Sequence, residues 1–341
     1  MFEAQENGQL NLSGLLAPPQ APLVPVGDSS DIRFDVRVDA NGYRWWYIDA
    51  FSDDGQCGLT IIIFIGCVFS PYYARARKRG AADPWDFCSI NAIFYGPDRK
   101  RWALTERNQG ALEIEPSRFK VGPSVVTRTA EGLRIELDEI CVPLPSRLRG
   151  TVEVSFSECS KQCFPLDSLE QHRWWPIAPS AKVAVNLHRP NLHWSGTGYV
   201  DSNAGTTPLE STFRGWHWTR TEQQSGRGHI FYNRQFWDGT TQALSVSYDN
   251  CNNLDVSDGK GEESALPATP IWRCQRPIVC SEPRAQLLKT FEDTPFYARS
   301  KLQVGCEGKL VPAMHEYVDL ARFQRTWVQT LLPFRMPRRG G

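Results

Sequence analysis

Carboxylates, imidazoles and indoles crowd together between two glycine-rich stretches in residues 192–221, LHWSGTGYVDSNAGTTPLESTFRGWHWTRT. Asp201, Glu210 and Tyr199 are groups that can move a proton. Trp194, Trp216 and Trp218 offer indole faces to a cation or to a long apolar ligand. Acid chemistry beside aromatic surfaces is the reaction type this combination suggests. Tryptophan and tyrosine at strand spacing also fill cores, so each of these side chains has a structural reading beside the chemical one.

The run SGTGYVDSNAGTTPLESTF followed by WHWTR resembles the bacterial carotenoid 1,2-hydratases, also called hydroxyneurosporene synthases. Other blocks agree and follow in order: GYRWWYIDAFSDD (42–54), GLTIIIFIGCVFSPYY (58–73), WALTER (102–107) and WVQTLLPFRMPR (327–338). The resemblance runs from about Phe34 to Arg338. It implies a pair of lipocalin-like, or calycin, β-barrels packed against each other. It also implies addition of water to the terminal 1,2-double bond of an acyclic carotenoid such as neurosporene or lycopene, in a photosynthetic bacterium. The partners so implied are the carotenoid and water.

Hydrating an unactivated trisubstituted alkene takes a proton on the less substituted carbon, a stabilised tertiary carbocation and one water to capture it. No redox cofactor takes part, and none is expected: the sequence has no GxGxxG or GxxxxGK[ST] run. The acid must stay protonated near neutral pH, which favours a carboxyl raised by apolar surroundings. Asp201 and Asp249 are the candidates. Asp201 ends a strand in GYVDSN, where it either points into a barrel mouth or forms an Asx turn. Asp249 closes LSVSYDN and has the same two readings. Whichever is the acid, the other, or Tyr248, orients the water or takes its proton.

His217 alternates with Trp216 and Trp218, so only one side of WHW can line a pocket. With the indoles inward it is a surface residue; with the imidazole inward it is a candidate base. An acid between these tryptophans is common among the hydratases that the segment resembles, so His217 departs from that pattern. His193, beside Trp194, has a similar pair of readings. The expected substrate-binding set is Trp46, Trp194, Tyr199, Asn203, Trp216 and Trp218. An indole face contributes about 2 kcal/mol to a desolvated cation, more than tenfold in rate. Adjacent Trp45 and Trp46 cannot both face one pocket from a strand. Asn203 either holds the nucleophilic water or caps a turn. Arg107 and Arg220, if paired with interior carboxylates, would lower those carboxylates' pKa and oppose an acid role.

The elements that must position these groups are mostly short strands. IRFDVRVD alternates, RWWYIDAF is aromatic, LTIIIFIGCVF is β-branched, and CSINAIFYG continues the rhythm, with turns at Asn41-Gly42, Asp54-Gly55 and Gly96-Pro97. Strands continue to about Cys159. The prolines of KQCFPLDSLEQHRWWPIAPS suggest a linker over 161–180, after which strands resume. The expected organisation is an irregular lead-in over 1–30, a barrel over 31–160, the linker, and a second barrel with a closing tail over 181–341. Tyr72–Arg79 and Glu316–Gln324 are the expected short helices. The fold class is all-β.

Composition excludes several partners. The 38 acidic and 38 basic residues cancel, which gives nucleic acid no bulk electrostatic support. Ten cysteines are scattered without a CxxC pair or a nearby histidine, so no metal site is expected and buried thiols in a reducing compartment are the simpler reading. The N-terminus has no basic region before an apolar core, which points to the cytoplasm. Leu59–Phe69 is shorter than the roughly 20 residues of a membrane-spanning helix and reads as a buried strand. Contact with the inner or photosynthetic membrane is therefore expected to be peripheral, through exposed aromatics or the cluster Arg75, Arg77, Lys78 and Arg79, which otherwise is a solvated patch. Two other functions fit the same residues: a lipocalin-like carrier for a polyene, and a calycin-type isomerase or cyclase.

Overall fold

The computed structural model describes residues 31–97, 99–223, 225–257 and 261–340, so the lead-in over 1–30 lies outside the described residues. The first sheet contains β1 (Tyr43–Ser52), β2 (Gly58–Ile65), β3 (Cys88–Tyr95), β4 (Lys100–Arg107), β5 (Leu112–Glu115), β6 (Arg118–Val121), β7 (Ser124–Arg128), β8 (Gly132–Ile140), β9 (Arg147–Ser155), β10 (Phe164–Pro165), β11 (His172–Arg189) and β12 (Leu192–Gly205). The second contains β13 (Phe213–Thr221), β14 (Gly228–Phe236), β15 (Thr241–Tyr248), β16 (Leu254–Ser257), β19 (Glu282–Asp293), β20 (Tyr297–Cys306) and β21 (Lys309–Asp319). Between them in sequence, β17 (Glu262–Leu266) and β18 (Arg276–Cys280) form a two-stranded ribbon. The last strand, β22 (Arg338–Arg339), returns to the first sheet and pairs parallel with β4. Described helices are short: α1 (Pro71–Arg77), α2 (Leu209–Thr212), α3 (Leu320–Phe323) and α4 (Thr326–Leu331). The protein is thus all-β, with two curled, lipocalin-like sheets in tandem.

Three apolar layers follow from strand alternation. The first sheet curls so that β4 approaches β8 and β3 approaches β6, enclosing Trp46, Ile48, Ile61, Ile63, Ile135 and Val152. Its outer face meets the second sheet over Trp45, Tyr47, Phe64, Trp216, Trp218 and Tyr232. The far face of the second sheet is covered by the ribbon, over Ile278, Leu302, Val304 and Ala313. β1 is buried along its whole length because both of its faces are covered.

Two boundaries differ from the sequence reading. Residues 161–180 are not a linker: β10 and the start of β11 lie there, and Trp174, Trp175 and Ile177 are fully buried. Pro176 and Pro179 fall at register shifts between Trp175 and Ala178 and between Ala178 and Ala181, where the ladder is already interrupted and a missing N–H costs little. The chain leaves the first sheet only after Gly205. Similarly, β21 runs to Asp319, so only Leu320–Phe323 of the segment 316–324 is helical. The expected helix near Tyr72 is α1, with Ser70 capping the Tyr72 and Tyr73 amides.

Glycines of the SGTG run belong to β12 and not to a turn. A Cβ on Gly196 would sit 1.9 Å from the Phe51 carbonyl oxygen, and one on Gly198 would sit 2.5 Å from Val183 Cγ2. Glycine there lets β12 close against β1 on one side and β11 on the other. That contact sets Asp201 opposite Tyr47.

Candidate active site

A cavity of about 370 Å³ lies between the two sheets. The first sheet contributes Trp45 and Tyr47 from β1, Ile62 and Phe64 from β2, and Asp201 and Asn203 from β12. The second contributes Trp216, Trp218, Tyr232, Arg299, Glu316 and Val318. Leu331, Leu332, Phe334, Arg335 and Met336, from the C-terminal tail, form its mouth with Trp272. A largely apolar chamber with a few convergent polar groups suits a hydrophobic ligand.

Asp201 is a buried carboxyl in the wall of this chamber. Trp174 Nε1–H donates to its Oδ2 at 2.9 Å and the Tyr199 hydroxyl donates to the same oxygen at 2.8 Å. Oδ1 is buried and has no hydrogen-bond partner. Burial pushes the carboxyl up to about 8; the two donors offset part of that push, while the Glu316 and Asp49 carboxylates add to it. At neutral pH the group is therefore protonated. An oxygen that accepts two hydrogen bonds takes the carbonyl role, which assigns the proton to Oδ1. Tyr199 and Asp201 are two residues apart on β12 and share a face, so the strand fixes this geometry.

Around Asp201 the charges are paired elsewhere. Arg220 binds Asp49 through Nε at 2.8 Å and Glu222 through Nη1 at 3.0 Å. Arg299 pairs with Glu316 and donates to the Tyr95 hydroxyl at 3.2 Å. The Tyr47 hydroxyl lies 2.7 Å from Glu316 Oε1 and 3.0 Å from Asp49 Oδ2 and donates to one at a time. Arg107 pairs with Glu139, on the far side of the first sheet's curl. Neither Arg107 nor Arg220 bonds to Asp201, so the lowering effect expected of such a pair acts on other carboxylates. Rings surround the acid: Trp218 lies 5.2 Å from Tyr199 and 5.9 Å from Tyr47, centroid to centroid, and Trp216 lies 6.5 Å from Tyr232.

The family profile of carotenoid hydratase CrtC matches residues 61–341. The chain belongs to this hydratase family. Its sequence is 44% identical over 310 residues to the acyclic carotenoid 1,2-hydratase of Thiocapsa roseopersicina, covering 91% of this chain and 76% of the relative. It is 40% identical over 317 residues to that of Rubrivivax gelatinosus, covering 90% and 76%. At the level of fold, a crystal structure of a Nitrosomonas europaea protein assigned to AttH superposes with a TM-score of 0.56 at 12% identity, over 92% of this chain and 99% of that one.

Within this CrtC-family chain, Asp201, Asn203, Trp216 and Trp218 all line the cavity, and Tyr199 reaches it through its bond to Asp201. Asn203 Nδ2 lies 3.4 Å from the Tyr232 hydroxyl, two residues along the strand from the acid. The other candidates lie apart. Asp249 accepts from the Cys251 and Asn253 amides and the Asn253 side chain in the turn after β15, and these bonds hold its carboxyl below the usual range. Tyr248 donates to the Thr221 carbonyl at 2.7 Å. His217 points away from both indoles, yet it is buried, because the ribbon covers that face; burial holds it down to about 4. Trp46 and Trp194 pack on the core inside the first sheet's curl. Glu210 pairs with Arg77 at 2.6 Å, which removes Arg77 from the expected surface cluster. His193 bonds its neighbour Asn191 at 2.7 Å.

Several residues of the site went unnoticed in the sequence: Tyr47, Tyr232, Arg299 and Glu316, which line the cavity, and Trp174, which bonds Asp201. Alternation along RWWYID would have put Trp45 with Tyr47 once either was known to face the acid. Trp174 was hidden by its prolines. Arg299 and Glu316 carry no local signal, since their pairing is made across β20 and β21.

Proposed function

We propose that this chain hydrates the terminal 1,2-double bond of an acyclic carotenoid with Asp201 as the acid and with no cofactor. The observation that carries the reading is the unpartnered Oδ1 of a buried, protonated carboxyl at the wall of an aromatic cavity. Asp201 transfers its proton to C2, the π pair forms the new C–H bond, and C1 becomes a tertiary cation. Trp45, Trp216 and Trp218 line the cavity, and an indole face stabilises such a cation without trapping it. The new carboxylate is held by Trp174 and Tyr199, whose donors strengthen as charge develops on the oxygens. A water held by Asn203 and Tyr232 adds to C1, and its proton returns to Asp201. Atoms and electrons balance with alkene and water alone, so one carboxyl serves as acid and then as base.

The carotenoid reading also bears on location. Each buried methylene is worth about 0.8 kcal/mol, so a long polyene stays in lipid or in an apolar groove rather than in water. Among the described residues no helix is long and apolar enough to cross a membrane. A peripheral position at the cytoplasmic face of the inner or photosynthetic membrane follows from this reading.

The test is incubation with lycopene in liposomes containing oxygen-18 water, followed by mass spectrometry. Labelled 1-hydroxy product is expected. Lycopene that copurifies unchanged would favour a carrier, and a rearranged product without label would favour an isomerase or cyclase.

A further inference from the structure

We propose that the mouth of the cavity is a docking surface for an anionic lipid bilayer, built from Ile271, Trp327, Leu331 and Phe334 with arginines around them. The choice of a bilayer as occupant rests on the carotenoid reading above. The surface itself rests on exposure and continuity. Phe334 is 74% exposed, Ile271 73%, Trp327 42% and Leu331 39%, although all are large and apolar. Single exposed side chains need no explanation, but a group of four at one opening does.

These residues form one surface and not a scatter. Trp327 and Leu331 are four apart on α4, so they share a face, while Val328 is buried beneath them. Trp272, next to Ile271, stacks on Trp327 with centroids 5.7 Å apart, joining the tail to the turn before β18. Phe334, Leu331 and Trp272 also line the cavity, so the exposed patch runs directly into the chamber that holds Asp201.

Charge selects the partner. Arg273, Arg325 and Arg335 are exposed on the three segments of this rim. The nearest carboxylates are committed: Asp293 accepts from the Ile271 and Trp272 amides, Asp319 caps α3, and Glu292 pairs with Lys100. Apolar side chains ringed by arginine match a layer of anionic headgroups over acyl chains. Docked there, the protein draws the end of a polyene inward while the remainder stays in the membrane.

The test uses the full chain and vesicles without carotenoid. Co-sedimentation is expected with phosphatidylcholine vesicles that contain phosphatidylglycerol, weaker with phosphatidylcholine alone, and weaker in high salt. I271S/W327S should lower vesicle affinity about tenfold. It should retain its melting temperature and its turnover of a short, detergent-dispersed isoprenoid carrying the same terminal alkene. R273E/R325E, which leaves the apolar residues in place, should lose the preference for phosphatidylglycerol. Failure of the wild type to bind either vesicle, or equal binding by I271S/W327S, would overturn the proposal. So would a lipid-free dimer abolished by I271S/W327S, which would assign the patch to a second copy. Vesicle binding without hydration of any alkene would leave the docking surface standing and sink the hydratase reading.

Discussion

Asp201 feels burial, which favours its neutral form, and two donors, which favour its ionised form; burial wins, and the carboxyl sits near 8. Hydration is therefore expected to be flat at lower pH and to fall as pH rises through about 8, as a pH profile of kcat would show. Asp201→Asn should reduce kcat about a thousandfold, the scale of a lost general acid. It should also stabilise the protein at neutral pH. The folded pKa is raised, so the native state binds the proton more tightly than the unfolded chain, and Asp201 contributes a stability that declines as pH climbs from about 4 to about 8. Melting curves of Asp201→Asn should lack that decline. Tyr199→Phe removes a donor that lowers the pKa, so the alkaline limb should move to higher pH. Legibility at this scale was limited. In the sequence Asp201 and Asp249 read alike, each at an expected strand end near a tyrosine and a turn signal, yet Asp201 lies within β12 and only Asp249 follows its strand. They differ in a long-range partner, Trp174, and in what covers them, and neither is written locally.

At the level of elements, β1 assigns opposite duties to adjacent side chains. Trp45 faces the cavity and Trp46 faces the core within the curl. Trp45→Ala is expected to slow hydration about tenfold with a small change in melting temperature, on the scale of a lost cation–π contact. Trp46→Ala should cost about 3–5 kcal/mol of stability, read from urea unfolding, with kcat of the folded fraction nearly unchanged. Period-two alternation was visible in the sequence, but aromatic residues on both faces left no sign of which face met the ligand. The β-rich pattern identified most strands, because β-branched and aromatic runs bounded by Asn-Gly and Asp-Gly turns have few other solutions. Pro176 and Pro179 obscured β11 for a physical reason: bulges in β11 accept prolines that a regular ladder would refuse.

Across the whole molecule, the ribbon makes a third layer and buries His217 and His315 as neutral imidazoles, held down to about 4 and about 3. Their folded pKa values are depressed, so the stability tied to neutrality is complete above the unfolded value of about 6.5 and is lost as pH falls toward about 4. The urea midpoint should fall over that interval, and His217→Asn should flatten the fall. Two barrels were foreseen, but their seam lies after Gly205 and not near residue 160. The pairing of β1 with β12 gives that seam a consequence in time. As the chain leaves the ribosome, β2 can cover one side of β1 at once, while the other side must wait until β12 has been made. At about 5–20 residues per second that is an interval on the order of ten seconds. Throughout it an aromatic strand has an open hydrogen-bonding edge, the template on which nascent chains aggregate. Yield in the cell should accordingly depend on translation speed and on chaperones that bind extended apolar segments.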